Sequence, residues 1–216
     1  MEHPTILHLH LARVILLTPF RKIVQLAELM AYERPSGNDA KAASLTKDIQ
    51  RWAIEDQYKA RLATIHAGAL FWHVRRYSVD AFYEPSSVFL ATLALWAYGR
   101  FATHTTGSNN QTNTNPEEPS RDPDEDGADS LFPTSMQLDR PADDELVQLF
   151  VKRGVTMKAN IMGVGNLCSR NGHVRVLAEG RNLLLSLRKW GDARLLIGKL
   201  DALLEACQVE KQNQRN

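Results

Sequence analysis

The apolar positions of this chain recur at three- and four-residue steps in one segment after another, the spacing that gathers them on one face of an α-helix. The first such segment carries Ile6, Leu9, Val14 and Leu17 and then meets Thr18-Pro19. Threonine suits a helix cap and proline a first turn, so the pattern predicts a break there. A second helix then runs through Ile23, Val24, Ala27 and Met30. Residues 33 to 43, with Pro35, Ser36 and Gly37, read as a loop. From Ser44 as cap, one long helix is expected with the stripe Leu45, Ile49, Trp52, Ala60, Ala63, Ala67, Leu70, Val74. Asp56 falls on that stripe; Glu55 and Lys59 form an i,i+4 pair opposite it, a support of about 0.2–0.5 kcal/mol at most. The small residues Ala60, Ala63, Ala67 and Gly68 leave room for another helix to approach closely.

After Ser78 the chain turns, and Glu84-Pro85 opens a helix that Val88, Phe89, Leu90, Leu93, Leu95 and Trp96 make apolar on nearly every side. Such a helix belongs in the middle of a bundle, covered by neighbours. Helices resume after Pro141, with Asp143, Asp144 and Glu145 in a first turn where carboxylates suit the helix dipole. Residues 154 to 172 read as irregular or short helix ending in the turn Asn171-Gly172. Val174, Leu177, Leu184, Leu187 and Trp190 mark a further helix, closed by Gly191 at its C′ position. Asp192 caps the last one, which carries Leu196, Leu200, Leu203, Leu204 and Cys207, and a polar tail starts at Glu210. Strand patterns are hard to find, and no repeat of fixed period suggests a solenoid. The expected fold class is all-α, a bundle-like domain built from residues 1–101 and 141–209, with a disordered acidic insert at 102–140 and a tail at 210–216.

The insert rests on composition. It is rich in Thr, Asn, Pro and Gly, and eight acidic against two basic residues leave it near −6, so the rest of the chain is near +7 against a total of +1. Such a segment buries too little apolar surface to offset its ordering entropy. Elsewhere, 216 residues with 44% hydrophobic and 24% charged side chains suffice for a sizeable core. The balance of +1 argues against a general nucleic-acid or membrane-surface binder. No run approaches the roughly 20 apolar residues of a membrane span, and the N-terminus has no basic region ahead of its apolar residues, so a signal peptide is not expected. Cys168 and Cys207 are the only cysteines, and neither has a second cysteine or spaced histidines nearby. They read as reduced, partly buried thiols of an intracellular protein in cytosol or nucleus.

Candidate chemistry is sparse. Asp143-Asp144-Glu145 has the look of an aspartate-rich metal motif, but Leu146, Val147 and Gln148 stand where the next carboxylates belong, so a helix start is the better reading. His66 and His73 share a helix side at a spacing of seven rather than one turn, and no third ligand is visible; core histidines are expected. His8 and His10 point in different directions. Met162-Gly163-Val164-Gly165 shows no convincing preceding strand, third glycine or following helix of a phosphate loop and reads as a turn. No G-x-S-x-G elbow organises Ser, His and Asp. The basic pairs Arg21-Lys22, Arg75-Arg76 and Arg188-Lys189 are dispersed and read as solvated faces. Leu131, Phe132, Met136 and Leu138 after the acidic cluster have the composition of an activation segment, though a spacer with a few apolar residues packing at its exit is preferred. No catalytic, cofactor-binding or metal-binding residue is assigned.

Three blocks carry a resemblance: HLHLARVILLTPFRKIVQLA, the stretch Ala60 to Gly99 ending LALWAYG, and NLCSRNGHVRVLAEGRNLLLSLRKWG from Asn166. Their order and spacing resemble the fungal-specific transcription factor domain, the all-helical middle homology or xylanolytic-activator-type regulatory region of C2H2 and zinc-cluster transcription factors. The resemblance implies a nuclear, non-enzymatic regulatory domain in RNA polymerase II transcription control. It also implies partners among transcriptional co-regulators, intramolecular contacts or a small-molecule effector, and none in a membrane. Family members carry zinc fingers or a Zn₂Cys₆ cluster ahead of this domain. This chain has neither, so zinc and DNA contacts are expected only in a missing finger region. Met1, falling almost at a helix start, suggests a truncated gene model, a fragment or a paralogue without its DNA-binding end. A helical enzyme with a site assembled from scattered side chains, or a generic helical adaptor, stays open as the alternative.

Overall fold

The computed structural model describes residues 4–32, 39–102, 135–187 and 191–213. Proline's fixed φ and missing N–H end the N-terminal apolar run where expected: α1 (Pro4–Leu17) stops and α2 (Phe20–Tyr32) begins just past Pro19. The cap differs from expectation. The Thr18 hydroxyl is buried with no hydrogen-bond partner among the described residues. The corner is held by main-chain bonds instead, with Pro19 O accepting from Lys22 N at 3.0 Å and Ile23 N at 3.2 Å. Trp52 Nε1 donates to Leu17 O at 2.8 Å, satisfying a carbonyl the end of α1 would leave orphaned.

The long helix expected from Ser44 is two helices, α3 (Asp39–Ile54) and α4 (Gln57–Tyr77). The break falls at Glu55-Asp56, where Asp56 adopts φ −86°, ψ 34°. An unbroken stripe would have driven the Asp56 carboxylate into the core. The kink turns it out to solvent while Trp52 and Ala60 on either side stay buried. Glu55 pairs with Arg51 at 3.6 Å rather than with Lys59, and both groups are too exposed for the contact to weigh much. Residues 39–43, read as loop, are the first turn of α3.

The helix α5 (Glu84–Phe101) occupies the centre, with Val88, Ala91, Leu95 and Trp96 fully buried; it packs against α1 to α4 and, further along the chain, α7 (Gly172–Ser186) and α8 (Gly191–Asn213). Its composition left almost no face for water, and only Ser86 is exposed, with Phe89, Leu90 and Arg100 half-buried. The approach of α7 is so close that a Cβ on Gly180 would lie 2.1 Å from Thr92 Oγ1. Thr92 returns its hydroxyl to Val88 O at 2.7 Å, so the contact strands no polar atom. Glu84, 1% exposed, clasps the α4–α5 turn by accepting from Ser78 Oγ at 2.5 Å and Val79 N at 3.0 Å.

Between α5 and α7 lie β1 (Ser135–Gln137), α6 (Asp144–Arg153), β2 (Lys158–Ile161) and β3 (Gly165–Asn166). The sheet has the order β1-β2-β3, with β1 parallel to β2 (Met136 opposite Ala159) and β3 antiparallel to it (Ile161 opposite Gly165). The class remains all-α, with eight helices among the described residues. The stretch 154–172, read as irregular or short helix, instead supplies β2 and β3. Met162-Gly163-Val164 is the turn joining them, with Gly163 at φ +82° as only glycine adopts readily. At the exit of the acidic insert the preferred reading holds: Met136 and Leu138 are buried in the core as packing residues. Leu131 and Phe132, with the rest of 103–134, lie outside the described residues.

Two helix ends also move. α7 ends at Ser186 with Leu187 as its C-cap, and Gly191 starts α8 instead of closing α7; Arg188, Lys189 and Trp190 lie outside the described residues. The expected tail is helical as far as Asn213, because Glu210 pairs with Arg100 at 2.8 Å and Lys211 Nζ donates to Asn171 Oδ1 at 2.9 Å. Those contacts offset the fraying its polar composition predicted.

Candidate functional site

α1 and α4 lie against each other, and His10 on α1 meets His66 on α4 with Nδ1 to Nδ1 at 3.0 Å. One nitrogen must donate and the other accept, so the pair is stable only when at least one ring is neutral. Burial, followed by the positive charges of His10 and Arg13, lowers the His66 pKa to about 4. His8 turns the other way, stacking on Tyr83 at 4.2 Å, as two positions two residues apart on a helix require.

The small residues of α4 admit two different neighbours. Ala60, Ala63 and Ala67 are fully buried, whereas Gly68 faces the chain leaving β1: a Cβ there would lie 2.3 Å from Leu138 O. The close partner at Gly68 is therefore the turn that follows β1, not a helix. This approach brings Met136, Leu138 and Arg140 alongside α4, and α6 follows with Asp144 and Val147. Together with α1 they enclose a groove of about 690 Å³. Its lining is largely apolar, with Leu17, Leu62, Ile65, Ala69, Trp72 and Met136, and it also includes the His10–His66 pair and His73. Arg13, Arg140 and Asp144 stand at the solvent side.

A buried ion network fixes the wall. Asp139, between Leu138 and Arg140, is 2% exposed; its carboxylate accepts from Arg75, from Gln137 Nε2 and from Met162 N at 3.0 Å. Arg75 also donates to Glu179 Oε1 at 2.8 Å and Met162 O at 3.1 Å, and its guanidinium lies 5.5 Å from the Phe71 ring centre. One arginine thus ties α4, the β1 exit, the β2–β3 turn and α7. The reading of Arg75-Arg76 as a solvated face holds for Arg76 alone. Neither Asp139 nor Glu179 could be matched to Arg75 from spacing, since they lie 64 and 104 residues away. Arg61 is likewise buried, donating to Val151 O at 2.8 Å and Gln57 Oε1 at 2.5 Å.

Among the described residues the groove is lined by no Ser, Thr, Cys, Lys or Tyr, and the His10 and His66 imidazoles direct their Nδ1 atoms at each other. Among the described residues no group of three or more His, Cys, Asp or Glu could hold a metal ion. Asp143 caps α6 by accepting from Leu146 N at 2.7 Å, which explains the acidic triplet locally. Cys168 and Cys207 are free; burial pushes the Cys168 thiol up to about 11 and raises that of Cys207 as well. No helix among the described residues is long and apolar enough to cross a membrane.

The fold is all-α, and the groove is a largely apolar cleft within it. Over 186 residues, 86% of the chain, it is similar at 23% identity to a protein of Gibberella fujikuroi named a transcription factor, and it spans 21% of that protein's length. No family model matches the chain, and no solved structure matches it.

Proposed function

We propose that this chain is a non-enzymatic regulatory region of a fungal transcription factor, nuclear and acting in RNA polymerase II transcription control. The observation that carries the reading is the similarity to a transcription factor across 86% of the chain. Packing is consistent with it: the three sequence blocks that resemble the fungal transcription factor domain fall on α1–α2, α4–α5 and β3–α7, and α1 packs on α4, α4 on α5 and α5 on α7. In this reading a finger or zinc-cluster region outside this chain reads DNA, and the helical body controls the factor's output through co-regulators, intramolecular contacts or an effector. The test is a fusion of residues 1–216 to a neutral DNA-binding module upstream of a reporter in a fungal host. Output should shift, up or down, relative to the module alone. Unchanged output from a fusion present at equal level in the nucleus overturns the reading.

A further inference from the structure

The groove between α1, α4 and the segment from β1 to α6 joins two features that ordinary packing does not require together. It leaves about 690 Å³ open within a largely apolar lining, room that roughly twenty waters would fill at liquid density. That volume lies in the usual range for small-molecule sites, which pair an apolar lining with a few placed polar groups. At its mouth stand two guanidiniums, Arg13 from α1 and Arg140 from the β1 exit, and among the described residues neither is in an ion pair. Asp144 offers one negative charge there and the buried imidazole of His66 none near neutral pH, so the mouth carries an excess of positive charge. Arg75, by contrast, is saturated by Asp139 and Glu179 and serves the wall.

We propose that this groove binds a small apolar molecule bearing one anionic group, an aliphatic or aryl carboxylic acid. Its hydrocarbon body lies over Leu62, Ile65, Ala69 and Trp72, and its carboxylate faces Arg13 and Arg140. The body is driven in by burial of apolar surface, and the charge selects the acid over its neutral analogue. The inference deepens the regulatory reading by naming the chemistry of its effector, and depends on that reading only for the consequence of binding.

The test uses the full chain and two probes of equal length, dodecanoate and dodecanol, each titrated below its aggregation limit and followed by Trp fluorescence and calorimetry. Dodecanoate should bind about tenfold or more tightly than dodecanol. Arg13→Gln with Arg140→Gln, both at exposed positions, should weaken the acid about tenfold and leave the alcohol unchanged. Ala69→Phe should fill the groove and abolish both; if it fails to fold, Leu62→Gln, at a partly exposed position, should weaken both by removing apolar lining. Equal binding of acid and alcohol, indifference to the paired arginine variant, or full binding after the lining substitution overturns the site. Specific binding beside a silent reporter fusion supports the site and removes the transcriptional reading; an active reporter with no acid-selective binding does the reverse.

Discussion

Replacing Asp139 by Asn retains the side chain's shape and removes its charge at a position 2% exposed. Both carboxylate oxygens accept from donors: one from Gln137 Nε2, the other from Arg75 and Met162 N. In the Asn variant Oδ1 can still accept from Arg75 and Met162 N while Nδ2 donates to a flipped Gln137 amide, so what is lost is the charge opposite Arg75. Removing one partner of a buried ion pair costs about 3–5 kcal/mol. Arg75 keeps Glu179 and the Phe71 ring, which places the expected loss at the lower end, about 3 kcal/mol. In a urea titration followed by far-UV circular dichroism the midpoint should fall by about 1 M or more, given a slope of about 1–3 kcal/mol/M. Near-UV and far-UV transitions must coincide for that conversion to hold in a chain of this length. Arg75→Met should make the second change cheaper, with a coupling of about 1–3 kcal/mol in the double-mutant cycle. A stability within about 0.5 kcal/mol of wild type, or strictly additive single effects, would refute the network as the anchor of the groove wall.

Three further outcomes follow from other parts of the molecule. Gly180→Ala should cost about 1–3 kcal/mol by forcing a methyl against Thr92, read as a melting point lower by several degrees; an unchanged melting point would mean that α5 and α7 can separate freely. His66 and His173 both have pKa values lowered to about 4 from an ordinary 6.5, chiefly by burial. The unfolded chain therefore takes up protons between pH 6.5 and 4 that the folded chain refuses. Stability should be level above pH 7, fall as pH drops through that window, and fall less steeply in His66→Gln; a flat profile from pH 7 to 4.5 contradicts the assignment. Cys168 and Cys207, with thiols raised by burial, should react with a disulfide reagent at pH 8 far more slowly in the native protein than in denaturant, and equal rates would show them accessible.

The amino-acid sequence by itself determined the helical class, the break at Pro19, the start of α5 beside Pro85 and the burial of that helix. Each follows from a local rule: proline geometry, a 3.6-residue period, or an apolar circumference that water cannot face. The break at Asp56 was half legible, as a carboxylate on the apolar stripe whose escape route the pattern did not show. Only the tertiary structure decided the rest. β1 is three residues long, too short for alternation to announce it, and it exists because β2 pairs with it while Gly68 of α4 admits Leu138 just beyond it. Arg75 and Asp139 read as surface charges until packing set them together, and His10 met His66 across 56 residues. Periodicity reports which face of an element leaves water. Which neighbour covers that face, and what space remains between them, depends on contacts distant in sequence, and so the groove with Arg13 and Arg140 beside it belongs to the fold rather than to any segment of the chain.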